Sequence, residues 1–559
     1  MTKQLIKTVK DYFNKYSLFT INSDGKETKV KLCDTVILDK PKFYGTLNQV
    51  AKFTLGDTIG DGLIYDNGTS VTNAGPGTGT ENTAFGFDSL VVNTTGSNNT
   101  SDGFESLKAN TTGSNNTAYG RQSLLSNTTG SSNTANGVLS LGSNTNGNNN
   151  TASGQSSLAS NISGDNSVAF GFESLKTNIV GANNTGLGYK TLTDNTSGDG
   201  NTAIGTESLS SNTIGENNTA SGYNALKANV NGVNNTANGS KSLERNISGG
   251  NNTATGVNSL LSNTSGDNNT SNGMGNLQNN TTGINNSSLG FKSLFANTTG
   301  NSNNAIGRQS LLSNTTGSNN VSNGTNSLLY NTTGDNNTAV GRSSLQNNIT
   351  ADGNTAIGYS SLLSNTTGTS NTATGTSSLL NNTTADDNTA YGFNSLAENT
   401  TGTQNTASGV SSLLSNTTAD KNSAYGFESL TANTTGEENQ ASGWRSLLTN
   451  TTGNKNTANG ALSLAYNTTG SENTAIGYGS LPNNTTGSNN IAIGKFSQSG
   501  DFDGSVVIGH TAVATADNQF VIGSSSVNAG AITTETITAT KTWTVKINGD
   551  DYKIACIPV

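Results

Sequence analysis

Apolar side chains form no long run in the middle of this chain. They recur in ones, twos and threes, at fixed intervals, between Gly, Asn, Thr and Ser. Gly86, Gly103, Gly120, Gly137, Gly154 and Gly171 stand 17 residues apart, and the series runs to Gly477, giving 24 copies. Leu follows four residues after each Gly (Leu90, Leu107, Leu124) and Asn seven after it (Asn93, Asn110, Asn127), without exception in those copies. Recurrence at a fixed period is the sequence signature of a stacked-repeat architecture. Counting from Asn82 as position 1, the unit reads N-T-A-x-G-x-x-S-L-x-x-N-T-T-G-x-N. It has no helical period, and Gly, Asn and Thr are poor helix formers. Short Thr/Ala/Leu pieces divided by Gly and Asn predict two short strands per unit joined by tight turns.

The two glycines of the unit are expected to do different things. The turn Gly at position 15 (Gly96, Gly113, Gly130) becomes Ala at Ala351, Ala385 and Ala419. It is expected to take positive φ, a demand that Ala meets only with strain. The Gly at position 5 is never replaced in the array, which predicts close backbone approach there. An unslipping period predicts one solenoid coil per unit, equivalent side chains forming columns. At about 4.8 Å between neighbouring strands, 24 coils make a rod of roughly 115 Å. The Asn93 column is placed to bond amide to amide along the axis, as stacked Asn ladders do in cross-β structures. The expected fold is therefore all-β: an elongated solenoid or β-roll of 17-residue coils over 81–489. Each coil offers one Leu and one Ala to a core that must order 17 residues. A lone chain is thus short of apolar burial, and three parallel chains about one axis would bury a second face. A homotrimer is expected.

The ends depart from the pattern. Residues 1–80 do not repeat. Leu5, Ile6, Val9, Tyr12 and Phe13 have helical spacing, and the stretch from Ser17 to Leu38 alternates about Ser23-Asp24-Gly25, predicting a hairpin. Over 490–530 the period shortens, with Gly494, Gly509 and Gly523 spaced 15 and 14 apart. Over 531–559, Trp543, Val545 and Ile547, then Asn548-Gly549, then Tyr552, Ile554 and Cys556 predict a two-stranded hairpin that caps the stack.

Composition sharpens this picture. Of 559 residues 68 are Gly and only 4 Pro, hydrophobics are 30 % and the net charge is −9, which suits hydrogen-bonded ladders better than a solvated coil. Residues 1–53 carry ten Lys against five acids, hence +5, leaving −14 for the remainder. Those Lys are mixed with acids and apolar residues, without an Arg cluster or aromatic stacking pattern, so they read as a solvated face and no nucleic-acid partner is expected. Cys33 and Cys556, one near each end, give neither a disulfide framework nor metal spacing. No apolar run reaches the roughly 18 residues of a bilayer span, and the first residues lack a signal-peptide core, so no membrane insertion and folding in a cytoplasm are expected.

Chemistry is sparse. His510, the single His, follows Gly509 without a recognisable nucleophile or orienting acid, and reads as structural or as part of a tip surface with Trp543 and Tyr552. Asp165, Asp199, Asp267 and Asp335 share one register, but the array lacks the Gly-Gly-x-Gly-x-Asp pattern of calcium solenoids; they read as turn acids. The many Asn-x-Ser/Thr triplets read as ladder and turn residues, and Gly75–Gly79 lacks the Lys and following helix of a phosphate loop. No catalytic residue, metal or cofactor is expected, and the chain is not expected to be an enzyme.

Two resemblances bear on function. Asn489-Asn490-Ile491-Ala492-Ile493-Gly494, the Val-Val-Ile-Gly step ending at Gly509 and the Phe-Val-Ile-Gly step ending at Gly523 resemble the head repeats of YadA-type trimeric adhesins. The Asn-Thr-Ala-Ile-Gly step of the main repeat is similar, in a longer coil. That family implies a trimeric parallel left-handed β-roll over about 82–526. The export signal and C-terminal membrane barrel of that family are not expected here. The long array, ended by Thr-Trp-Thr-Val-Lys-Ile-Asn-Gly-Asp-Asp-Tyr-Lys-Ile (542–554), also resembles bacteriophage tail fibres and other virion appendages, which assemble in the host and leave by lysis. That resemblance implies attachment of 1–80 to a baseplate or capsid component and outward presentation of the C-terminal end; binding of a host-surface glycan or protein is expected near residues 500–559, where Trp543, Tyr552 and His510 break the repeat. A virion fibre is the leading expectation. A bacterial cell-surface adhesin or filament subunit and an ice-binding solenoid are the alternatives.

Overall fold

The computed structural model describes residues 78–523 in full. Outside that range it describes the backbone of seven strands: Phe19–Ile21, Glu27–Lys29, Gln49–Phe53, Ile59–Asp66, Val71–Thr72, Lys541–Ile547 and Asp550–Cys556. The chain divides into two units, Met1–Thr72 and Asn73–Val559. In the first, Phe19–Ile21 pairs antiparallel with Glu27–Lys29, and Gln49–Phe53, Ile59–Asp66 and Val71–Thr72 form an antiparallel meander with a bulge between Gln49 and Ala51. The helix expected near residues 5–13 lies outside the described residues.

The second unit contains a parallel β-solenoid. Twenty-seven three-residue strands, from Thr83–Phe85 to Phe520–Ile522, pair in parallel, each inner strand with the one before and the one after. Partners lie 17 residues apart from Thr83↔Thr100 through Thr474↔Ile491, then 15 apart at Ile491↔Val506 and 14 at Val506↔Phe520. No helix occurs among the described residues.

Each coil holds one strand, where the sequence pattern predicted two. A strand sends successive side chains to opposite faces, yet Ser89 and Leu90 are adjacent and both fully buried. The chain achieves this with left-handed backbone at positions 7, 9 and 17, seen as φ of 55°, 52° and 58° at Asp88, Leu90 and Asn98. Asn tolerates that conformation best among residues with a Cβ, and position 17 is most often Asn. At position 9 the left-handed turn costs a Leu about 1–2 kcal/mol, and burying its side chain returns roughly 1.5–3 kcal/mol. Coil-to-coil hydrogen bonding continues through these turns. Leu90 N–H donates to Ser106 O (3.1 Å), Ala109 N–H to Leu125 O (3.1 Å) and Asn115 N–H to Ser97 O (2.9 Å).

The glycines also divide differently from expectation. Positive φ belongs to position 5, with values of 117° at Gly86, 146° at Gly103 and 120° at Gly120, and it is absent at Gly96, Gly113 and Gly130. At position 5 conformation and crowding act together, since a Cβ on Gly86 would sit 2.5 Å from Gly103 O. At position 15 crowding acts alone. The next coil's carbonyl and the Asn amides at position 12 fill the space that a side chain would need. An L-residue is accommodated there only if the next coil's backbone carbonyl moves aside, without the conformational penalty of position 5, and Ala351, Ala385 and Ala419 occupy the register while buried to within 2 %.

Candidate functional site

Inside each coil the Leu and Ala columns share the interior with two columns of Asn. At position 12, Asn110 Nδ2 donates to Asn93 Oδ1 of the preceding coil (2.9 Å) and to Gly113 O of its own (3.0 Å). Asn127 Nδ2 donates in turn to Asn110 Oδ1 (2.7 Å). Sequence reasoning missed the second column, at position 1. Asn99 N–H donates to Asn82 Oδ1 (2.9 Å), and Asn99 Nδ2 donates to the same Gly113 carbonyl (2.9 Å). One carbonyl thus accepts two buried amides, using both of its lone pairs. The signal was available: position 1 is Asn in every 17-residue copy except at Ser167. Gly86, Gly103 and Gly120 line the crowded turn beside the strand, and Leu90, Leu107 and Leu124 fill the interior with no exposed surface.

The position-16 acids are inter-coil caps. Asp165 Oδ1 accepts the backbone N–H of Asn148 (2.6 Å), Asp199 that of Ala182 (2.7 Å), Asp267 that of Gly250 (2.7 Å) and Asp335 that of Ser318 (2.6 Å). Ser114 and Asn301 do the same with a hydroxyl and an amide oxygen, so the cap needs no charge, and Ala182, Val233, Gly250 and Ile284 occupy the same register without a side-chain acceptor. Among the described residues no group of three or more His, Cys, Asp or Glu is placed to hold a metal ion, and no helix is long and apolar enough to cross a membrane.

The outer surface is strongly sorted by charge. Ion pairs lie at positions 7 and 10: Lys108 with Glu105 (2.6 Å) and Asp88 (3.0 Å), Lys227 with Glu207 (2.6 Å), and Arg445 with Glu428 (2.6 Å) at position 7 of successive coils. Hydrogen bonds from Lys108 and Gln122 hold the Glu105 carboxyl below its ordinary range. Position 6 carries exposed aromatic and basic side chains, including the stacked pairs Phe87–Phe104 (5.7 Å) and Phe172–Tyr189 (5.6 Å), and Arg445 over Trp444 (4.8 Å). Positions 2 and 4, the outward residues of every strand, behave differently. Of these 54 side chains only Asp102 is charged, although Phe85, Tyr119, Phe170, Tyr391 and Tyr425 are 41–47 % exposed.

At the C-terminal end the shorter coils need substitutes for missing backbone. In ordinary coils the position-13 carbonyl accepts from the preceding coil, as Thr111 O does from Thr94 N–H, Thr95 N–H and the Thr94 hydroxyl. After Thr485 that carbonyl is missing, and Asp501 Oδ1 takes its place, accepting Thr485 N–H (2.5 Å), Thr485 Oγ1 (2.7 Å) and Thr486 N–H (2.9 Å). Burial pushes the Asp501 carboxyl up, but these hydrogen bonds outweigh it and hold the group below its ordinary value. The position-12 ladder ends at Asn484, whose Oδ1 receives no hydrogen bond from the protein because the next coil has no Asn in that register. His510 is exposed at position 6 of the last full coil. Trp543 and Tyr552 lie in the paired strands Lys541–Ile547 and Asp550–Cys556, opposite Ile554 and Val545 respectively. No protein family matches the chain, and no curated protein does.

Proposed function

We propose that the protein is a structural virion fibre, of the tail or the head, that acts as a rigid spacer and host-surface adhesin. It assembles as a parallel homotrimer, with its N-terminal region on a baseplate or capsid component. The observation that carries this reading is the uninterrupted stack: 26 steps without a slipped register, or roughly 125 Å at about 4.8 Å per step. Near-identical faces repeated along such a length suit spacing better than specific recognition. Recognition of a host glycan or protein falls to the C-terminal coils and residues 531–559, where the pattern breaks and His510, Phe520 and Ile522 are exposed.

Sedimentation equilibrium of the purified chain is expected to give three times the chain mass, with the multimer resisting SDS. A monomer would overturn the assembly. Removal of residues 531–559 is expected to reduce adsorption to host cells; unchanged adsorption with unchanged assembly would remove both roles given to that segment.

A further inference from the structure

We infer that the outer face of the strand column, positions 2 and 4, is the surface on which copies of this chain pack, in parallel and in register. This rests on the spacer reading above and names the surface by which the fibre assembles. Two outward columns of the solenoid are almost free of charge. At positions 13 and 14 the residues are mostly Thr, and the position-13 hydroxyl is already committed to the next coil's carbonyl, as Thr111 Oγ1 is to Thr128 O (3.0 Å). On the other strip position 2 is again mostly Thr, but position 4 exposes aromatic and large aliphatic groups, among them Phe85, Tyr119, Phe170, Tyr391 and Tyr425, and the two positions together carry one charge in 54 side chains. Charge depletion is common to both strips, and it is the run of exposed aromatic side chains at position 4 that marks this one as desolvated in use.

The occupant follows from the order of side chains along the strip. Position 4 runs through large and small groups without a period, Phe85, Asp102 and Tyr119 being successive members. A lattice-like or polymeric ligand would demand a regular surface. A second copy in register meets each residue with its own equivalent, so an irregular column is matched automatically. The strip is also large enough. At roughly 125 Å by about 10 Å it offers on the order of 1,200 Å² per chain, above the ~800 Å² per partner of a standard interface. At the C-terminal end the Thr column itself turns apolar, as Ile491, Val506 and Phe520 replace it, which concentrates the contact there.

The test uses the full chain. Ile357→Lys, Tyr391→Lys and Tyr425→Lys together are expected to convert the multimer to monomers. Thr384→Lys, Thr401→Lys and Thr435→Lys, the same charge load at position 14, are expected to leave it intact. Far-UV circular dichroism and contour length by electron microscopy separate dissociation from unfolding. With Cys33 and Cys556 changed to Ser, Ser408→Cys is expected to cross-link through a short bis-maleimide and Thr401→Cys to remain uncoupled. Dissociation by the position-14 set, or cross-linking at Thr401→Cys alone, would overturn the assignment and leave the spacer reading standing. Loss of the rod in the unmodified protein would overturn both.

Discussion

At the scale of single residues, the unit is held by positions whose demands differ although their letters coincide. Gly at position 5 answers to backbone conformation, and Gly at position 15 answers only to space. Gly239, at φ 139°, and Gly249, without positive φ and hemmed in by Gly266 O and two Asn amides, provide the contrast within one coil. Gly239→Ala is expected to cost about 3 kcal/mol and to open the adjoining coils. Gly249→Ala is expected to cost about 1 kcal/mol, because Ala351, Ala385 and Ala419 already occupy that register. Amide exchange around residues 235–266, compared between the two variants, measures the difference; equal loss of protection would refute it.

At the scale of the coil, the stack and its step were legible in the sequence because the period is unbroken and Gly, Leu and Asn never leave their registers. What stayed hidden was the path between them. Thr, Ala, Ser and Leu all read as strand, and no propensity signals that Leu90 will turn left-handed, because that choice is made by burial of the side chain. The second Asn column was hidden for a similar reason: an Asn beside a turn looks like a turn residue until its amide is found on a buried carbonyl. The position-16 acids were legible as turn residues, whereas their capping of the neighbouring coil needed three dimensions. Asp501 gives the coil scale its pH dependence. Its folded carboxyl lies below the ordinary value, so its contribution is complete above the unfolded value of about 3.9 and is lost as pH falls through the lower folded value. Exchange of the Thr485 and Thr486 amides is expected to quicken, relative to Thr468 and Thr469, as the solution is acidified below that range. In Asp501→Asn the relative rate should no longer respond to pH.

For the whole stack, stability in a solenoid is a sum over neighbouring interfaces, so length and integrity are separable. Removing residues 354–370, one whole unit, is expected to shorten the rod by about 4.8 Å with little change in melting temperature. Removing residues 354–361 alone places Asn, Leu and Gly columns against the wrong neighbours and is expected to open the stack locally. Contour length and protease sensitivity distinguish the two. The doubly used carbonyl at position 15 carries a further consequence. Both amides that reach it are the same in nearly every turn, so these fastenings hold tightly but supply no address. A nascent chain that skipped a full unit would close around the omission with every column satisfied, leaving a 17-residue loop outside. Correct counting during folding must therefore come from the landmarks that differ from turn to turn: the uneven side chains of position 4, and the carboxylate that ends the series.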